Sequence, residues 1–278
     1  IPLLLSIPLD NINALWFKKP LNDCVKIIAS PAGSDYFDAI ALSDIACKSP
    51  RFMAEGGAKN VARRDGMGTT LLSAVEVIGR IPDAYFQAIG SGTGTIAAWE
   101  NNLRLIEDGR YGTHKMKLYP SQNDPFTIMY DSWKTHSRAL VPMTPEEARE
   151  AASIIDAKVL SNRKPPYPIA GGLYDALEDA GGDIFKVTNA ELHIWKDKFA
   201  QLEGIDIHNA AAVAVASLAQ AAAEGIIRPD EVIMLNITGA GEELAKSEGE
   251  IFYATPNLVL DPSSKEEEII TQVENLFK

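Results

Sequence analysis

The stretch Gly90-Ser91-Gly92-Thr93-Gly94-Thr95 is the strongest chemical signal in the chain. Three glycines alternate with hydroxyl residues directly after the apolar run Ala84–Ile89 and before a helical pattern that opens near Thr95. Glycine lets the backbone turn tightly and aim its N–H groups at one point, and a helix start adds the positive end of its dipole. Such a loop is a cradle for phosphate, with Ser91, Gly92, Thr93, Gly94 and Thr95 as its candidate ligands. A dinucleotide fingerprint fits less well, because Thr95 stands where a third glycine is wanted and the next strand ends at Tyr119-Pro120-Ser121 without an acidic residue for a ribose. No Lys-Ser or Lys-Thr follows, which removes a Walker A reading. The bland alternative is a tight strand-to-helix turn with no ligand.

Two further segments are built for polar contacts. Val232–Asn236 reads as a buried strand that runs into Ile237-Thr238-Gly239-Ala240-Gly241, a hydroxyl followed by two glycines. In a parallel sheet the loops at the carboxyl ends of strands line the ligand crevice, which would let Thr238 and the Gly90 loop face one site, although Thr-Gly-x-Gly taken alone reads better as a plain turn. The third segment, Gly56–Thr70, reads as a polar, glycine-rich loop leading into an apolar helix near Thr69. Its Asn60, Arg63 and Arg64 offer forked donors to an oxyanion; the competing reading pairs one arginine with Asp65 or Glu55 and leaves the other solvated. His114, His136, His193 and His208 are scattered without metal-ligand spacing, so no metal site is assigned.

The elements that must position these loops follow from the pattern of the whole chain. Its 278 residues are 46% apolar and 23% charged, an ordinary globular composition that excludes disorder and a disulfide scaffold. Short apolar strands at Leu3–Ile7, Val25–Ile28, Tyr85–Ile89, Met116–Tyr119, Ile184–Val187 and Val232–Asn236 alternate with helical patterns, which predicts an α/β fold with a parallel sheet flanked by helices. Thr144-Pro145-Glu146-Glu147 and Thr188-Asn189-Ala190-Glu191 are explicit helix starts. The net charge of −12 is concentrated after residue 70, where 18 Lys and Arg face 31 Asp and Glu, so nucleic acid is an unsuitable partner for the body of the chain. The Ala-rich run at 210–223 is too short for a membrane span, the prolines at 2 and 8 interrupt any leader, and a cytoplasmic location is expected. Cys24 and Cys47 are expected in the core of a protein from a reducing compartment.

The loop Met53–Thr70, the segment Ala88–Glu100 and Met234–Gly239, with Glu203–Ala212 and Ile169–Leu173 beside them, resemble fold-type II pyridoxal-phosphate enzymes of the tryptophan synthase β-like kind, within the threonine synthase family and its archaeal cysteate synthase branch. The resemblance implies pyridoxal 5'-phosphate as cofactor, held through its phosphate by Ser91 to Thr95 and through its pyridine nitrogen by Thr238. It places Asn60 and Arg63 on a substrate anion, and it implies β-replacement of O-phospho-L-serine by sulfite to give L-cysteate and phosphate, a step of coenzyme M biosynthesis. A homo-oligomer acting on small molecules is expected. Threonine formation from phosphohomoserine is the alternative, against which Ala58 stands, since it departs from a serine that threonine synthases carry nearby; a non-catalytic anion-binding homologue is a further one. The Ser-x-Lys-like segment that carries the Schiff-base lysine in this class, followed by a Ser-Gly-Asn-Thr-like loop, does not occur in the 278 residues. No catalytic residue is therefore assigned in this chain. The expectation is an N-terminally truncated, inactive portion, with residues 1–55 as the remnant of a smaller domain and 56–278 as the large cofactor-binding domain.

Overall fold

The computed structural model describes every residue from Ile1 to Lys278. From the start of the chain, β1 (Leu3–Pro8), β2 (Trp16–Phe17) and β3 (Val25–Ser30) lead into α1 (Tyr36–Ala46) and the long α2 (Val61–Ile78). There follow β4 (Ala84–Ala88), α3 (Thr93–Asp108), β5 (Lys117–Asn123), α4 (Ile128–Lys134), α5 (Pro145–Ile154), α6 (Leu173–Ala180), β6 (Phe185–Val187), α7 (Asn189–Glu203), α8 (Asn209–Ala223) and β7 (Ile233–Leu235). The last elements are α9 (Glu242–Glu248), β8 (Phe252–Tyr253), β9 (Leu258–Val259) and α10 (Glu266–Asn275). No helix is long and apolar enough to cross a membrane.

These elements form two compact units, residues 1–55 with 242–278, and residues 56–241. The sequence reading assigned 242–278 to the larger domain, and the structure corrects it. In the first unit β3 lies between β1 and β9, all parallel, with Ile28 and Ala29 opposite Leu258 and Val259. Ile269 and Val273 of α10 bury against Ile28, Leu42 and Ile45. This pairing joins residues more than 200 positions apart, a distance at which local pattern carries no information. Cys24 is exposed and Cys47 half-buried, both as free thiols, so Cys24 is not the core residue expected of it.

The second unit is a four-stranded parallel sheet in the order β6-β5-β4-β7. Side chains alternate across a strand, so β4 sends Tyr85 to one face and Phe86 to the other. On the first face Tyr85 joins Leu71 and Val75 of α2, Ile96 of α3, and Leu173 and Leu177 of α6. On the second, Phe86 stacks on Tyr119 with ring centroids 4.9 Å apart and meets Phe185, while Ala221 of α8 closes the cluster. Helix α8 is mostly alanine on its buried side, which lets it lie close over the sheet, and Ala211, Ala212, Ala214 and Ala216 are fully buried there. Helices thus cover both faces, as a parallel sheet requires.

Helix starts carry the chemistry their sequences announced. Thr144 and Thr188 each form a complete capping box, with Glu147 and Glu191 respectively. The three glutamates of α10 occupy its first turn, where the dipole favours them. One local expectation failed: residues 61–68 are helical, because α2 begins at Val61 and not near Thr69. Asn60 caps it, and Gly68 is tolerated in the helix because α3 presses there. A Cβ on Gly68 would lie 1.6 Å from Nδ2 of the buried Asn101.

Candidate phosphate-binding site

The two glycine-containing loops leave adjacent parallel strands at the same end. Phe86 of β4 lies opposite Leu235 of β7, and the Asn236 N–H donates to the Phe86 carbonyl at 2.9 Å. Gly90–Thr95 and Ile237–Gly241 therefore emerge side by side at the carboxyl edge of the sheet, where parallel α/β folds place their ligands.

The Gly90 loop closes its first helical bond from the Ile96 N–H to the Gly92 carbonyl at 3.0 Å. The N–H groups of Gly94 and Thr95 precede that bond and have no carbonyl one turn earlier to meet. Gly92 sits at φ +78°, a left-handed conformation that favours glycine. Gly94 has no room for a side chain, since a Cβ would lie 2.4 Å from Gln87 Nε2. The hydroxyls of Ser91 and Thr93 are 2.8 Å apart, and the Thr93 N–H donates to Ser91 Oγ at 3.3 Å. The loop contains no carboxylate, and its donors are backbone N–H groups at a dipole's positive end with two hydroxyls beside them. That donor set fits a phosphate monoester. Val159 and Leu160 lie against Gly90, and Leu173 against Gly92, so Thr93, Gly94 and Thr95 are buried and Ser91 is the half-buried edge of the cradle.

A chain of side-chain hydrogen bonds ties this loop to the next strand. Asn236 Nδ2 donates to the Tyr85 hydroxyl at 2.8 Å, Tyr85 donates to Gln87 Oε1 at 2.8 Å, and Thr95 Oγ1 meets the same oxygen at 3.4 Å. Burial pushes the Tyr85 phenol well above its ordinary range, against the smaller opposing effect of the Asn236 bond. Its proton stays in place, so the direction of donation toward Gln87 is fixed. Sequence reasoning did not single out Tyr85 or Gln87. The available signal was a glutamine inside the otherwise apolar Ala84–Ile89.

Asn60 and Arg63 sit at the start of α2. Asn60 Oδ1 accepts from the Arg63 N–H at 3.3 Å, which makes Asn60 a helix cap, and Arg63 is exposed. Arg64 behaves differently: its Nε donates to Glu100 at 2.8 Å and its guanidinium also reaches the Ala58 carbonyl. Arg104 takes Asp65 at 2.7 Å. Arg64 and Asp65 thus pair from α2 to α3, which pins the α2 start to the helix that follows the glycine loop. Thr238 is exposed just beyond β7, and Gly239 packs on His208 at the start of α8, where the His208 N–H donates to its carbonyl at 2.9 Å. No group of three or more His, Cys, Asp or Glu side chains is placed to hold a metal ion.

Comparison with known proteins supplies the family. The chain is 43% identical over 258 residues to the cysteate synthase of Methanosarcina mazei, an alignment covering 92% of this chain and 62% of that one. It is 46% identical over 260 residues to the cysteate synthase of Methanocella paludicola, covering 92% and 60%. The chain therefore spans about 60% of the length of these curated relatives. Among solved structures, a fungal L-serine ammonia-lyase from Rhizomucor miehei superposes with a TM-score of 0.50 at 11% identity, covering 67% of this chain and 56% of that one, a likeness of fold. The profile of the pyridoxal-phosphate dependent enzymes matches residues 23–239, a span that takes in the whole four-stranded parallel sheet, the Gly90–Thr95 loop and the second loop as far as Gly239, and the chain belongs to that family.

Proposed function

We propose that this protein forms L-cysteate from O-phospho-L-serine and sulfite, releasing phosphate. The observation that carries the reading is the 43 to 46% identity to curated cysteate synthases across about nine-tenths of the chain. The loop chemistry is in keeping with it. Pyridoxal phosphate supplies an electron sink that stabilises negative charge at the substrate Cα and so lets a β-substituent depart.

The residues of this chain would divide the remaining work. Ser91 to Thr95 hold the cofactor's phosphate by backbone N–H groups and hydroxyls at the start of α3. Thr238 meets the pyridine nitrogen with a neutral hydroxyl. A carboxylate there would keep the ring protonated, whereas a hydroxyl leaves it largely neutral, which suits β-replacement better than chemistry needing deeper charge storage. Arg63, exposed at the α2 start, presents a fixed cation to the departing phosphate and the entering sulfite, both of which are oxyanions. Asn60, which caps α2 through its carbonyl oxygen beside Arg63, is assigned to the same anion.

The test is turnover by the full-length gene product with pyridoxal phosphate, O-phospho-L-serine and sulfite, followed by release of phosphate and of cysteate. Cysteate formation at a rate exceeding that of threonine formation from O-phosphohomoserine is expected. Threonine as the preferred product would replace this reading with the threonine synthase alternative. Cofactor binding without turnover of either substrate would leave an anion-binding homologue. Arg63→Gln should raise the KM for O-phospho-L-serine about 10- to 100-fold, as loss of a charged hydrogen bond does, with cofactor affinity unchanged.

A further inference from the structure

The end of β5 carries three consecutive polar residues, Ser121, Gln122 and Asn123, all fully buried. Asn123 is fully used: its Nδ2 donates to the Val187 carbonyl and to Asn189, and its Oδ1 accepts from the N–H groups of Asp156 and Ala157. Gln122 is only half used. Its Oε1 accepts from the N–H groups of Met129 and Tyr130 on α4, both at 2.9 Å, while its shielded Nε2 has no acceptor. The two backbone donors fix which end of the amide is oxygen, so rotation of the amide offers no escape. They also turn Nε2 away from α4. Buried amide donors are rarely left unpaired without a reason.

The strand alternation places this amide. Gln122 projects to the same face as Leu118, which packs with Tyr85 and Ile96 beneath the start of α3. Across the sheet the Ile89 N–H donates to the Ser121 carbonyl at 2.8 Å, so Gly90 and Ser91 begin beside the end of β5. Gln87, which faces Gly94, lies opposite Pro120, one pleat before Gln122 on that face. We infer that Gln122 is a further binding residue of the Gly90–Thr95 cradle, its Nε2 donating to a phosphoryl oxygen of the bound ligand. The inference rests on reading that loop as a phosphate site. Two sources share this chemistry, the cofactor's phosphate and the phosphate of a phosphorylated substrate.

Gln122→Glu in the full-length protein separates the possibilities, because it keeps the oxygen that α4 requires and replaces the donor by an oxygen that repels phosphate. The measurements are equilibrium binding of pyridoxal phosphate and of unphosphorylated pyridoxal, followed by protein fluorescence, and the KM for O-phospho-L-serine. If the donor serves the cofactor, affinity for pyridoxal phosphate falls at least tenfold and affinity for pyridoxal holds. If it serves the substrate, cofactor affinity holds and the KM rises at least tenfold. Changes below twofold in both overturn the inference. Gln122→Met, close in volume and without a donor, is read by the same ratios should the glutamate variant not fold. Ser91→Ala is the control for the underlying reading: if it too leaves the preference for pyridoxal phosphate over pyridoxal unchanged, the loop is not the phosphate site. A loss with Ser91→Ala beside a silent Gln122→Glu refutes only the role of Gln122.

Discussion

Replacing Gly94 with alanine tests whether the glycine loop is shaped by packing from beneath as well as by ligand chemistry. The added Cβ would lie 2.4 Å from Gln87 Nε2, 2.6 Å from its Oε1 and 2.9 Å from its Cδ. Carbon contacts settle at roughly 3.5–4.0 Å, so the Gln87 amide must retreat by about 1 Å. It is 6% exposed, which leaves it little free space. Overpacking of this kind costs about 1–3 kcal/mol, and strain on the Tyr85–Gln87 bond adds about 1 kcal/mol. The better helix propensity of alanine returns up to about 1 kcal/mol. The net expectation is a loss of about 2 kcal/mol, or about 4–8 °C in the melting transition of the unit spanning residues 56–241. Gln87→Ala removes the clashing atoms, so the double variant should be no less stable than Gln87→Ala alone, a favourable coupling of about 2 kcal/mol. Differential scanning calorimetry on the four proteins gives the cycle. Strict additivity, or a Gly94→Ala variant as stable as the parent, would refute the argument.

Three other outcomes follow from the same geometry. Gly182→Ala places a Cβ 2.0 Å from the Leu118 carbonyl oxygen at φ +117° and should cost about 3 kcal/mol or more, whereas Gly109→Ala, at φ +76° in open space, should cost about 1–2 kcal/mol. Urea midpoints will rank them, and equal losses would show that packing at Gly182 is not the cause. Tyr85→Phe leaves Asn236 Nδ2 and Gln87 Oε1 without their shared partner and should cost about 1–3 kcal/mol, with weaker cofactor-phosphate binding, measurable by calorimetry and fluorescence titration. The bond from Arg138 holds the Asp175 carboxyl below its ordinary range, and the bond from Lys115 does the same for Asp179, so α6 has two depressed carboxyls. Their contribution to stability is present above the unfolded carboxyl value near 4 and is lost as pH falls through the folded values. Asp175→Asn should therefore flatten the fall in stability as pH drops below the ordinary carboxyl value near 4, which denaturant titrations over acid pH will register.

Much of the unit spanning residues 56–241 was legible because its signals are local. A strand, three alternating glycines and a helix start are contiguous in sequence, and the physics that aims their N–H groups at one point acts over six residues. The capping boxes at Thr144 and Thr188 are legible for the same reason, since each is a four-residue hydrogen-bonding pattern. The start of α2 was misread because Gly66 and Gly68 lower helix propensity. The close approach of Asn101 requires glycine at 68, and the helix is held by ion pairs from Arg64 and Asp65 to α3, none of which a local pattern records.

By itself, the sequence determined an alternating α/β architecture, the glycine-rich strand-to-helix turn at Gly90–Thr95 and the residues whose pattern resembles one enzyme family. Tertiary structure alone decided that residues 242–278 join the first 55, that Arg64 is committed to Glu100 while Arg63 is exposed, and that Tyr85, Gln87 and Asn236 form a wire beneath the loop. It also decided that Gln122 keeps a buried donor without an acceptor. The physical reason is the same in each case. Helix caps and glycine turns are energies of neighbouring residues, whereas strand order, ion-pair choice and the satisfaction of buried amides depend on which distant segments share one small volume.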